Sequence, residues 1–123
     1  MSETKNHRKS HPQQSTNDVV PSLSAKEALV LELLLDNPTT QMYGLEMVAN
    51  SGNQLKRGTI YVTLDRMEDK GYLKSRQEDP QPNARGIPRR LYWVTGYGQK
   101  AFEIWQMARE LGRMRAAEVG SLA

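Results

Sequence analysis

Apolar residues are sparse over residues 1–22 and then recur at helical spacing, so order is expected to begin at LSAKEALVLELLLDNP. Ser24 and Glu27 form a capping-box pair, Leu23 stands where a hydrophobic staple would, and Asn37 with Pro38 should stop the helix near Asp36. Leu29, Leu31, Leu33, Leu34 and Leu35 surround most of its circumference, so it should be covered on more than one side or join a dimer interface. A short second helix is predicted over Tyr43–Ser51, with Leu45 and Val48 inward and Gly52 ending it. In a third, Ile60, Leu64 and Met67 make an inner stripe and Gly71 is the left-handed residue past its end. The spacing then changes. YLKSRQ and RRLYWV read as two strands, joined by EDPQPNARGIP, whose prolines, Asn83 and Gly86 cannot continue either. A last helix, N-capped at Thr95, should reach about Ala117, with Ala101, Ile104, Trp105, Ala108 and Leu111 on one side. A three-helix domain closed at that end leaves this stripe little to pack on. A partner helix from a second copy is the expected cover, with folding back on its own domain as the alternative.

The resulting fold class is mainly α with a small β-hairpin, a winged helix-turn-helix domain plus a C-terminal dimerisation helix. Its expected parts are a disordered polar tail (1–22), the winged domain (23–94), the dimerisation helix (95–118) and a flexible end (119–123). One small domain is all that 123 residues with 37% apolar content accommodate. The absence of cysteine excludes disulfides, thiolate zinc sites and a cysteine nucleophile, and is compatible with a cytoplasmic location. No apolar run reaches the roughly 20 residues that cross a bilayer, and the polar start lacks a signal peptide's apolar core, so neither secretion nor membrane insertion is expected.

Charge sharpens the picture because it is unevenly placed. Residues 55–100 carry ten basic and five acidic groups, whereas residues 24–54 carry one and four. A basic segment beside an acidic one makes a directional field suited to a polyanion. The outward side of the third helix supplies Thr59, Tyr61, Val62, Thr63 and Arg66, with Lys56 and Arg57 at its start, a mixture of hydroxyls, an aromatic ring and cations able to reach phosphates and base edges. Arg85, Arg89 and Arg90 place further cations on the hairpin, where a wing touches the backbone or a minor groove. Double-stranded DNA is therefore the expected partner, and a protein-docking winged helix without sequence-specific DNA binding is the alternative. In the tail, Lys5, Arg8 and Lys9 are expected first to solubilise and second to make phosphate contacts, while His7 and His11 lack a helix and a third ligand, so no metal site or other cofactor is expected. Catalysis is not expected either: both histidines lie in the tail and no phosphate-binding glycine loop occurs.

MYGLEMV, GTIYVTLDRMEDKGYL and RRLYWVTGYG, in that order and spacing, resemble the PadR family of bacterial transcriptional regulators. The matching positions are Tyr43 and Gly44; Gly58, Thr59, Ile60 and Tyr61; Glu68 and Gly71; and Tyr92, Thr95 and Gly98, within a similarity covering roughly residues 24–111. The resemblance implies a homodimeric repressor on a roughly palindromic operator, with the last helix as the dimer contact and, in some relatives, a small-molecule effector at the dimer interface. It also implies that Tyr43, Thr59, Tyr61, Thr63 and Arg66 contact DNA and that the wing arginines assist. Val62 replaces a common proline, and Trp105 lies about one turn earlier on the helix than the tryptophan of multidrug-binding relatives, so dimer core is its first expected role and ligand platform its second. The family pattern puts Tyr92 and Val94 inward, leaving Leu91 and Trp93 on the opposite face, where Trp93 would meet a partner, the tail, a ligand or a neighbouring helix.

Overall fold

A computed structural model describes residues 22–79 and 89–122, with side chains described as far as Glu118. The tail, including His7 and His11, and the wing tip with Arg85 lie outside the described residues. The chain runs α1 (Ala25–Asp36), β1 (Met42–Tyr43), α2 (Gly44–Asn50), α3 (Ile60–Asp69), β2 (Leu73–Gln77), β3 (Arg90–Val94) and α4 (Gly96–Leu122).

The first helix starts as its sequence dictates. Ser24 Oγ accepts from Glu27 N at 3.1 Å, and the Glu27 carboxylate accepts from Ser24 N at 2.9 Å. At its end Asn37 is extended, and its side chain accepts from Thr39 N at 3.0 Å in a local turn. Ala28, Val30, Leu31 and Leu34 are fully buried, while Leu29, Leu33 and Leu35 are partly buried against the same core. Glu27 goes inside with them, and Lys70, which caps α3, reaches both its carboxylate oxygens at 2.9 and 3.2 Å. The ion pair thus fastens the start of α1 to the end of α3.

Helix α2 differs from expectation in its phase. Leu45 is 41% exposed, not inward, whereas Val48 is half-buried against the core as expected, and the buried positions are Gly44, Met47 and Ser51. This is an i, i+3, i+7 stripe in which two members are too small or too polar to register as hydrophobic. Ser51 uses its burial: its Oγ donates to Val48 O at 2.8 Å and accepts from Leu55 N at 2.9 Å, while Gly52 and Asn53 take the left-handed backbone that turns the chain toward α3. In α3 the inner stripe is the expected one, since Ile60, Leu64 and Met67 are buried and Gly71 has φ +85°.

The hairpin belongs to a three-stranded antiparallel sheet ordered β1-β3-β2. The two residues of β1 pair Met42 with Tyr92 and Tyr43 with Leu91. Strand alternation holds: Tyr92 is buried and Val94 packs on the core, whereas Trp93 is half-buried opposite Lys74.

Helix α4 runs to Leu122, beyond the predicted end at Ala117, and its apolar residues form two stripes instead of one. Gly98, Ala101 and Phe102 are buried and Trp105 packs partly on the core, so the first turns do fold back on their own domain. Ile104 is half-buried, whereas Met107, Ala108, Leu111 and Met114 are exposed on a face roughly a third of a turn away. A single stripe through Ala101 and Leu111 is therefore corrected: the near end is satisfied internally, and only the far end remains uncovered.

Candidate nucleic-acid interface

The outward face of α3 carries the expected chemistry with one change. Thr59, Tyr61, Val62 and Arg66 are exposed, and Lys56 and Arg57 are exposed just before the helix. Thr63, by contrast, turns its hydroxyl back to Thr59 O at 3.2 Å, the usual bond of a threonine inside a helix. Tyr61 lies across the start of α2: a Cβ placed on Gly44 would be 2.8 Å from Tyr61 Cε1 and 3.1 Å from its hydroxyl oxygen. Gly44 is thus the residue that lets an aromatic ring of α3 settle beside Tyr43.

The wing is joined to this helix by polar contacts. Arg90 Nε donates to Ser75 Oγ at 2.9 Å, and Ser75 Oγ donates to Glu68 on α3 at 2.8 Å. Arg89, one residue earlier, serves a different partner. Its guanidinium lies 4.0 Å from the centre of the Tyr43 ring, and Nη2 donates to Glu78 at 3.4 Å. The Tyr43 hydroxyl donates to the other oxygen of Glu78 at 2.5 Å. This bond, first among the causes, raises the Tyr43 hydroxyl above its ordinary 10.0 and holds the Glu78 carboxyl below its ordinary 4.5, with the nearby Arg89 charge assisting the latter.

The structure therefore brings Tyr43, Tyr61 and Arg89 to one neighbourhood and gives Arg90 to the α3 side of the wing. Ala101, Ile104, Trp105, Ala108 and Leu111 all lie on α4, remote in role from this surface. Three groups of the wing were missed in the sequence. Lys74 and Arg76 are exposed on β2, and strand alternation alone would have placed them together. Glu78 gave no signal, because one acid among many residues does not reveal that it will meet Tyr43 across 35 positions. Among the described residues no group of histidines, cysteines and carboxylates could hold a metal ion.

A second feature flanks α4. Glu32, Phe102, Trp105, Arg109 and Arg113 line an open groove of about 330 Å³. The rings of Phe102 and Trp105 stack at 6.0 Å between centroids, and the Arg109 guanidinium lies 5.0 Å from the centre of Trp105.

A profile of the transcriptional regulator PadR-like family matches residues 30–104, more than half of the chain. The chain belongs to the PadR-like family of transcriptional regulators. Solved structures agree in fold. A PadR-like transcription factor from Bacteroides fragilis is 16% identical over 97% of this chain and 99% of its own, with a TM-score of 0.65. A PadR family transcription regulator from Clostridium difficile is 27% identical over 78% and 96%, with a TM-score of 0.55. A transcriptional regulator from Clostridium thermocellum is 21% identical over 79% and 97%, with a TM-score of 0.59. A comparison with curated proteins gives no match. PadR-like proteins are DNA-binding regulators and not enzymes, and the winged helix-turn-helix architecture of this chain is theirs. No described helix is long and apolar enough to cross a membrane.

Proposed function

We propose that this PadR-like protein is a repressor that binds a roughly palindromic operator as a homodimer. The observation that carries the reading is the exposed array at the start and along the outer face of α3, Lys56, Arg57 and Thr59 just before the helix and Tyr61 and Arg66 on it, placed beside wing arginines that are fixed by side-chain contacts. Two such helices would enter successive major grooves about one helical turn apart, with Arg89, Arg90 and the wing-tip Arg85 on the flanking backbone. The dimer contact is assigned to the outer stripe of α4, Ile104, Ala108 and Leu111 with Met107 and Met114, because an uncovered apolar helix face of this length is satisfied by an antiparallel copy of itself. Ala101 and Trp105 would support that contact from the inner side. A small-molecule effector would enter the groove at Trp105, whose volume falls within the usual range of ligand sites, roughly 300–1,000 Å³.

A fluorescence anisotropy titration tests this reading, using the protein's own promoter region and an unrelated duplex at two salt concentrations. Tighter binding to the promoter that survives the higher salt supports a sequence-specific regulator, and Arg66→Ala should then weaken it while leaving the oligomeric state unchanged. No binding to either duplex at low salt would favour a protein-docking module. Sedimentation of Leu111→Asp tests the dimer contact: a monomer with an unchanged melting transition of the winged domain is expected, and a persistent dimer would remove the assignment.

A further inference from the structure

Glu78 makes a contact that the strand pairing does not need. Its backbone already completes the hairpin, with Glu78 N donating to Arg89 O at 2.7 Å. The side chain does something separate: one carboxylate oxygen accepts the Tyr43 hydroxyl at 2.5 Å and the other accepts Arg89 Nη2 at 3.4 Å. A hydroxyl and a guanidinium converging on the oxygens of an anion is the arrangement by which proteins hold a backbone phosphate. The position fits such a ligand as well. Tyr43 directly precedes Gly44, against which the outward-facing Tyr61 of α3 lies, so the site adjoins the proposed DNA-reading face. It is also open, with 62% of the Arg89 side chain and 26% of the Glu78 side chain exposed.

We propose that Glu78 is an internal stand-in for a DNA backbone phosphate, occupying a phosphate site built by Tyr43 and Arg89 that exchanges carboxylate for phosphate when a duplex docks. The proposal rests on the DNA-binding reading above and adds a residue that opposes binding. Because Glu78 is ionised at neutral pH, every duplex must displace it, whatever its sequence. The consequence is weaker binding to all DNA, which leaves base contacts on α3 to decide where the protein stays.

Removing any acid near DNA strengthens binding through the long-range field, so the test needs a matched control. Asp79 is the next residue, is exposed, and carries the same charge. Glu78→Gln, Asp79→Asn, Tyr43→Phe and the Tyr43→Phe/Glu78→Gln double variant are compared with the wild type on the promoter and an unrelated duplex, across a salt series. Circular dichroism melting confirms that each is folded. Glu78→Gln should bind both duplexes more tightly than Asp79→Asn by about threefold or more, with a salt slope steeper by about one phosphate equivalent than the wild type. In the Tyr43→Phe background the advantage over Asp79→Asn should shrink, because half of the site is gone. Equal gains from Glu78→Gln and Asp79→Asn, or weaker binding by Glu78→Gln than by wild type, overturn the proposal; the second result would make Glu78 a holder of Tyr43 and Arg89 in the bound state. If the wild type and all variants bind neither duplex at low salt, the DNA-binding reading itself fails and this proposal falls with it.

Discussion

Gly98 is where a single methyl group should do the most damage. It sits in the first turn of α4, and its amide donates to Thr95 Oγ1 at 2.9 Å, so the helix start is pinned. An alanine Cβ there would overlap the Tyr72 carbonyl oxygen and stand 3.0 Å from both Tyr72 C and Val94 Cγ1. Relief requires a movement on the order of 1 Å, since carbon and carbonyl oxygen come no closer than about 3.3 Å. That carbonyl cannot retreat at no cost, because it accepts from Thr95 N at 3.0 Å, with Thr95 Oγ1 at 3.2 Å. Overpacking of about 1–3 kcal/mol and a strained hydrogen bond of about 1 kcal/mol give a loss of roughly 2–4 kcal/mol. For a domain of this size that corresponds to a melting temperature lower by at least about 10 °C. Gly112 lies in the same helix with nothing within 4 Å of its would-be Cβ. There the same substitution should act through helix propensity and add up to about 1 kcal/mol. Urea unfolding of Gly98→Ala and Gly112→Ala, followed by circular dichroism, measures both. A Gly98→Ala protein within about 0.5 kcal/mol of the wild type would refute the claim that α4 is seated on the Tyr72 carbonyl.

Three further outcomes are expected. The nearest atoms that Gly44→Ala meets belong to the Tyr61 side chain, an exposed ring that can swing aside, so melting should barely change while DNA affinity falls roughly tenfold through displacement of that ring; unchanged affinity would detach Tyr61 from DNA reading. Lys70→Ala strands the buried Glu27 carboxylate and should cost about 1–3 kcal/mol in urea unfolding, less than a fully buried pair because the Lys70 side chain is 34% exposed; a loss near zero would show that Ser24 alone satisfies Glu27. A carbon-13 titration of the Glu78 carboxyl should give a midpoint below 4.5 that rises in Tyr43→Phe. A lowered carboxyl value means that the Tyr43 contact is complete above the ordinary carboxylate range and is lost as pH falls through the folded value. The raised Tyr43 value keeps its hydroxyl a donor up to beyond 10.0, so neither group titrates near neutrality, and a midpoint at or above 4.5 would contradict the contact.

What could be read from the sequence follows the range of the interactions involved. The capping box at Ser24 and Glu27, the stripe of Ile60, Leu64 and Met67, the glycine stop at Gly71 and the Thr95 cap all act over a few residues, and each is present. Strand β1 was invisible because two residues carry no alternation; only pairing with Leu91 and Tyr92, nearly fifty positions away, makes it a strand. The phase of α2 was misjudged because Gly44 and Ser51 are buried for closeness and hydrogen bonding, not for apolarity. In α4 one apparent stripe hid two, and Phe102 belongs to the inner one. The cations were legible as residues but not as pairs: adjacent Arg89 and Arg90 reach Glu78 and Ser75 respectively, a division that emerges only when β3 has neighbours on both sides.

Those pairs bear on how a signal could reach DNA. The wing is tied to α3 through Arg90, Ser75 and Glu68, and to the start of α2 through Arg89, Glu78 and Tyr43. The end of the wing is tied to the end of α3 as well, since Thr95 donates to Gly71 O at 2.7 Å and its amide to Tyr72 O. Two connections hold the wing to α3 and, in the free protein, a third holds it to α2, so the reading head moves as a unit more easily than it bends. The first turns of α4 move with it, because Gly98, Ala101 and Phe102 are buried in the same core. Only beyond Trp105 does α4 leave the domain, and there the uncovered stripe runs along one side of the helix while the groove at Trp105 and Arg109 lies on the opposite side, facing Glu32 of α1. In the proposed dimer, a molecule in that groove, between α4 and Glu32 of α1, would tilt the outer part of α4 against its own head while leaving each head intact. An angular change between each head and its dimer helix alters the spacing of two α3 helices, and spacing against the helical repeat is what a two-fold operator measures.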